Sequence, residues 1–272
     1  MAKSTLLVHA ANQWVNCPGS VQICTEFPGF PSDERTQSKL EGRASHEVAA
    51  RIFASFQGDG ELGISKKIVG TTSADGIVIN DEMYDCALEY SNDVLKVANQ
   101  LGAMRSIQYE HTVPADFVAP GTYCVIDGSI WHPGTMTLYV WDYKYGHRLV
   151  EAFENYQLIV EANAILEQLG VNGHLDQQIK VVMRVVQPRC FSGEGPIREW
   201  VVTASELRGY VNLAVTAANE ALADAPRCKT GPWCITCDGR HGCDTLTRAA
   251  CSAMDYIETA SGIGLSGHNL GI

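Results

Sequence analysis

The stretch TMTLYVWDYKYGHR, residues 135–148, decides how this chain folds. Its first half is β-branched and aromatic, which suits a pleated surface. Its second half carries Asp142 and Lys144, two residues apart and therefore on one face of a strand. An acid and a base on so apolar a strand cost desolvation free energy unless something compensates. An ordinary strand-end salt bridge between them is one compensation, and a bound cation is another.

Immediately upstream, TYCVIDGSIW (122–131) is a second strand candidate, and His132-Pro133-Gly134-Thr135 reads as the turn of a hairpin. Centring that turn on Pro133-Gly134 sets Asp127 opposite Val140 and Asp142 opposite Val125. The two carboxylates then share a face as diagonal neighbours, roughly 7–8 Å apart at the backbone. From there they can converge on one divalent ion. Mg²⁺ takes oxygen ligands at about 2.0–2.1 Å and keeps several waters. Lys144, one step along, is placed to stabilise charge developing at a phosphate or to hold an attacking water.

Further out, helical periodicity covers residues 41–56 and 82–101, the second ended by Gly102. Strand patterns follow at 105–113, 122–131 and 136–145, then a helix over 151–169, then strands at 179–187 and 198–203. Thr203 with Glu206 forms a capping box that opens a helix to about residue 223. Residues 10–31, with Pro18, Pro28 and Pro31, read as irregular, residues 57–80 as a Gly-rich loop, and the tail from 260 as loose. A strand–helix–strand unit after a hairpin gives an α/β fold with a central mixed sheet flanked by helices. No internal repeat or long linker divides the chain, so one domain over 1–272 is expected, with its core at about 41–223.

The 272 residues are 46% hydrophobic and 19% charged, the balance of a packed chain rather than a disordered one. No apolar run approaches the roughly 20 residues that span a bilayer. The N-terminus is a poor signal peptide, so the expected location is the cytoplasm. The net charge of −11 argues against nucleic acid wrapping the whole surface, while leaving room for a local cationic groove. Lys180 and Arg184 share a strand face and could line such a groove with Arg148. Solvated charges are the simpler reading of all three. Neither a P-loop nor a G-x-S-x-G nucleophile signature is present.

Ten cysteines occur, and four of them fall in CKTGPWCITCDGRHGC (228–243). The C-x₂-C-x₅-C run of Cys234, Cys237 and Cys243 is a metal signal, because a two-residue spacer lets two thiolates converge on one centre. Cys228 could complete a local zinc site. Alternatively Cys17, in WVNCPGS (14–20), could close a cluster from the other end of the chain.

Together these motifs resemble the PD-(D/E)XK nuclease superfamily, in particular its RecB/AddB-like iron–sulfur exonuclease branch of phage type. The matching elements are Gly42…His46, GTYCVIDG (121–128) with Asp127, Asp142-Tyr143-Lys144, and Gln157 on the following helix. The resemblance covers roughly residues 12–245. It implies Mg²⁺ or Mn²⁺ held by His46, Asp127, Asp142 and the Tyr143 carbonyl. Lys144 would be the catalytic lysine, with Gln157 orienting substrate or Lys144. Glu110 would be a supporting acid. Glu161 stands where that branch carries a tyrosine, which puts the nucleic-acid contact of that turn in doubt. The branch also implies a structural [4Fe–4S] cluster on Cys17, Cys234, Cys237 and Cys243, joining the N- and C-terminal segments and leaving Cys228 spare. Structural zinc is the alternative. The implied activity is a metal-dependent DNA exonuclease acting on ends or single strands in recombination, repair or phage DNA processing. Phage recombination or replication proteins would be its partners, and it would work in the host cytoplasm if phage-encoded. A nuclease-like module that binds nucleic acid or a partner without cutting is the alternative function.

Overall fold

The computed structural model describes residues 6–29, 33–57, 66–171 and 173–261. Helix α1 spans Ala11–Asn16, α2 Ser20–Glu26, α3 Asp33–Gln57 and α4 Asp81–Leu101. Strands β1 (Ile107–Pro114), β2 (Tyr123–His132) and β3 (Thr137–Tyr143) follow, then α5 (Tyr156–Gln168). Strands β4 (Lys180–Val186) and β5 (Ile197–Thr203) lead to α6 (Ala204–Ala221) and α7 (Asp244–Ser261). The expected tail from 262 onward and the glycines at 58–65 lie outside the described residues.

The five strands form one open mixed sheet in sequential order. The pairs β1–β2, β2–β3 and β4–β5 are antiparallel, and β3–β4 is parallel. A parallel pair needs a long crossover, and α5 supplies it. Both faces of β3 are covered. Trp141 and Tyr143 belong to the core shared with α3 and α4, whereas Leu138, Val140 and Asp142 on the other face are fully buried too. Fully burying an apolar side chain such as Leu138 or Val140 contributes about 1.5–3 kcal/mol, whereas burying Asp142 costs free energy unless it is compensated.

Three sequence expectations change. The region of Pro18 and Pro28 is helical, because the prolines bracket α2 rather than interrupt it. The helix expected from residue 151 begins at Tyr156, because the Asn155 side chain accepts from Gln157 N and Leu158 N at 3.1 and 3.4 Å and caps it there. The hairpin register is shifted by two residues. His132 pairs with Thr137 and Ser129 with Val140, because residues 133–136 form the loop, with Met136 left-handed at φ 49°. A two-residue shift keeps every side chain on its face. Carried one step past the Gly128–Trp141 pair, it sets Asp127 across from Asp142 rather than diagonal to it.

The chain divides into two compact units, one of residues 1–11 and 31–215 and one of residues 12–30 and 216–272. The sheet lies in the first. In the second, α2 packs against the turn at Asp238–Gly242. Among the described residues, no helix is long and apolar enough to cross a membrane.

A candidate metal centre and a group of thiols

His46 of α3, Glu110 of β1 and Asp127 of β2 converge in the first unit, with one ligand atom from each lying within 4.8 Å of the others. His46 Nδ1 stands 3.1 Å from Glu110 Oε1 and 3.4 Å from Asp127 Oδ1. The other oxygen of Asp127 accepts from Tyr143 N at 2.7 Å, so strand β3 fixes the carboxylate of strand β2. Glu110 sits in the β1 ladder between pairs in continuous register, Tyr109 with Gly128 and His111 with Ile126. Its own φ is +45°, a conformation that non-glycine residues seldom hold without surrounding support. Gly128 has a packing reason. A Cβ there would lie 2.5 Å from Tyr90 Oη, and Tyr90 stacks on Tyr143 at 4.8 Å.

Asp142, expected as a ligand, is not one of these three; it is buried and lines the same cleft. Its Oδ1 takes Lys144 Nζ at 2.7 Å and Gln157 Nε2 at 3.0 Å, while its Oδ2 is buried with no hydrogen-bond partner. The salt bridge read as one alternative in the sequence therefore exists but satisfies only half of this carboxylate. An unpartnered buried carboxylate oxygen costs free energy that a cation would recover.

Electrostatics point the same way. Burial disfavours the His46 imidazolium, but the Asp127 charge and the Glu110 hydrogen bond outweigh it and hold its pKa at about 9. Burial, opposed by His46 and reinforced by the Asp142 charge, pushes Asp127 up to about 6. Lys144 is held above its ordinary value because Asp142 and Asp127 overcome its burial. A protonated imidazole between two carboxylates stands in for positive charge that a divalent ion would supply. Oxygen donors with one imidazole suit Mg²⁺ or Mn²⁺, so the residues present fit such an ion.

The triad and Asp142 open into a cleft of about 1010 Å³, whose lining includes Lys39 and Arg43 of α3, Lys144 and Gln157. Arg184 is elsewhere engaged, bonded to Asp93 at 3.0 Å and Glu199 at 2.6 Å, and does not line this cleft. Sequence reasoning placed Glu110 in the second rank, whereas here it shares the triad. The β1–β2 register would have revealed it, since Glu110 falls opposite Asp127.

In the second unit, Cys24 Sγ lies 3.6 Å from Cys237 Sγ. Lys229 N donates to Cys17 Sγ at 3.2 Å and Gly231 N to Cys234 Sγ at 3.4 Å. Gly19 admits this approach, since a Cβ there would stand 2.5 Å from Cys228 Sγ. Among the described residues no three thiols come within 4.8 Å of one another, so this geometry indicates neither a zinc nor an iron–sulfur cluster. Of the expected set Cys17, Cys234, Cys237 and Cys243, Cys237 lies against Cys24, which the sequence did not single out. Burial, then the neighbouring thiols, pushes Cys228 and Cys237 up to about 12.

A family model described as "Protein of unknown function (DUF2800)" matches residues 3–263. No curated protein matches the chain. A solved structure titled "Crystal structure of SSO0001" is similar at 11% identity over 90% of this chain and 89% of that one, with a TM-score of 0.34, too low to carry an argument.

Proposed function

The chain belongs to the DUF2800 family, and we propose that it is a divalent-metal-dependent deoxyribonuclease of the PD-(D/E)XK type, acting as an exonuclease on DNA ends or single strands. One observation carries the reading: the His46–Glu110–Asp127 triad adjoins a buried Asp142 oxygen without a partner, and Lys144 stands beside it. His46, Glu110, Asp127 and Asp142 would hold Mg²⁺ or Mn²⁺, with the Tyr143 carbonyl as a further donor. Such an ion supplies an acidified water and neutralises charge on a leaving oxygen. The Asp142 and Asp127 charges hold Lys144 above its ordinary value and favour its charged form. It offers N–H donors and positive charge to a phosphate that gains negative charge. Gln157 holds Lys144 and Asp142 in relation to one another.

The reading includes a structural [4Fe–4S] cluster, or zinc, on Cys17, Cys234, Cys237 and Cys243. Its support is the C-x₂-C-x₅-C spacing and the two backbone N–H groups that donate to Cys17 and Cys234, since such bonds tune thiolate centres. Iron against zinc is decided by elemental analysis of anaerobically purified protein. DNA is the proposed substrate, phage recombination or replication proteins the proposed partners, and the cytoplasm, of a host if phage-encoded, the proposed location.

Fluorescent single- and double-stranded DNA should be degraded with Mg²⁺ or Mn²⁺ and left intact with chelator, with Asp142→Ala and Lys144→Ala inactive. DNA binding without divalent-dependent cleavage would overturn this reading in favour of the non-cutting module.

A further inference from the structure

Glu161 lies one helical turn beyond Gln157 on α5 and is buried, with 2% of its surface exposed. Its Oε1 accepts from Gln157 Nε2 at 3.0 Å. The same nitrogen donates to Asp142 Oδ1 at 3.0 Å, and the amide oxygen accepts from Lys144 Nζ at 3.3 Å. A primary amide has two N–H donors on one side and an acceptor on the other, and an ammonium can only donate. With both hydrogens committed, a flip would press the amide oxygen against two carboxyl groups and turn N–H toward Lys144.

We propose that Glu161 is a positioning residue, which fixes the Gln157 amide so that its oxygen faces Lys144 and its nitrogen faces Asp142. The consequence for turnover rests on the nuclease reading, but the geometry does not. Burial, together with the Asp142 and Asp127 charges, holds the Glu161 carboxyl well above the usual carboxylate range. A glutamine has nearly the same shape and still offers an oxygen to accept from Gln157 Nε2. A cavity of about 180 Å³ lined by Glu161, Gln157 and Thr122 gives the second carboxyl oxygen room for water.

The test uses the full chain as Glu161→Gln, Glu161→Leu, Gln157→Leu and the double Leu variant, with Glu161→Met as a second apolar replacement should Glu161→Leu fail to fold. Two readouts are taken: DNA cleavage kinetics, and the rate at which Lys144, whose side chain is 30% exposed, is acylated by an amine-reactive reagent, followed by peptide mass spectrometry. Glu161→Gln should match wild type within about twofold in both. Glu161→Leu should acylate Lys144 faster and lower kcat by roughly 10–100-fold with KM little changed, the scale expected for a misplaced reacting group. The double variant should be no worse than Gln157→Leu, because the two residues act in one chain of contacts. Unchanged acylation in Glu161→Leu, multiplying losses in the double variant, or a Glu161→Gln defect equal to that of Glu161→Leu would overturn the proposal. If no variant, nor wild type, cleaves DNA while the acylation pattern holds, the nuclease reading fails and the positioning role stands.

Discussion

In the first unit, His46, Glu110 and Asp127 arrive from a helix and two strands whose hydrogen-bonded register holds them. In the second, Cys17 and Cys24 arrive from or beside one short helix, and Cys228, Cys234, Cys237 and Cys243 from turns and 3₁₀ segments. The carboxylates remain as a partly charged set, compensated by His46 and Lys144. Among the thiols, Cys24 and Cys237 meet 3.6 Å apart. A sheet can hold charged ligands in place ahead of any ion, because its ladder is satisfied without them. Short turns have no such independent ladder, so a thiolate site must gain its order from the metal itself.

The largest expected effect separates the two regions. Asp127→Ala should lower kcat for DNA cleavage on the order of 10³-fold, since a cation site supplies several kcal/mol of charge stabilisation. Its melting temperature should stay within a few degrees of wild type. Cys237→Ser should do the reverse, with a lowered melting temperature and chelator-sensitive cleavage retained at low temperature. Calorimetry and a gel assay on both variants check this. A Cys237→Ser protein as stable as wild type would remove the distinction.

Protons should divide the first unit's site from an ordinary ion pair. The pKa of His46 is raised from 6.5 to about 9, so its protonation stabilises the fold fully below 6.5, and this is lost as pH rises through 9. The pKa of Asp127 is raised from 3.8 to about 6, so its ionisation costs stability above 6, and the cost is relieved as pH falls toward 3.8. A metal must displace the His46 proton throughout the window from 6 to 9. Mn²⁺ affinity should therefore rise about tenfold per pH unit there, because the ligands must be deprotonated. Titration calorimetry in two buffers of different ionisation enthalpy should show about one proton released per ion. No buffer dependence would mean that His46 is not a ligand.

Gly128→Ala probes the packing behind the site. The new methyl meets the Tyr90 hydroxyl, and Tyr90 stacks on Tyr143, whose N–H holds Asp127. Overpacking of this kind costs about 1–3 kcal/mol. Urea unfolding should show that loss, with a KM for Mn²⁺ raised through the displaced Tyr143. A loss of stability with unchanged metal dependence would show that the Tyr90–Tyr143 stack supports the fold alone.

Much of this site was legible because strands alternate. Asp127, Asp142 and Lys144 could be assigned to one face from spacing alone, and the two-residue register shift left that face intact. What failed was distance: the turn at 133–136 contains a left-handed Met136, which no periodicity signals. Glu110 was undervalued because its role depends on β1–β2 pairing, a long-range fact. The thiol pairing was not legible. Spacing identifies Cys234, Cys237 and Cys243 as neighbours, but the position of Cys24 follows from how α2 packs on the turn at 238–242. α7 lies beyond the elements expected from the sequence.

Asn155→Ala should have the smallest effect and asks whether the sheet alone gives the first unit its rigidity. Asn155 caps α5 two residues before Gln157, and losing such a cap costs about 1 kcal/mol, with an upper range near 2. Residues Gln157 through Leu166 of α5 are all buried, so packing should retain the helix when the cap is gone. The first turn, which carries Gln157, should then fray while the rest holds. Hydrogen exchange at Gln157 and Leu158 should accelerate, with exchange at Ala162 to Ile165 unchanged, and kcat should fall only a few-fold. If exchange instead rises along the whole helix, the order of this site depends on its cap. The first unit would then resemble the thiol segment, whose 3₁₀ turn at Pro232–Thr236 has a glycine, Gly231, at its N-cap.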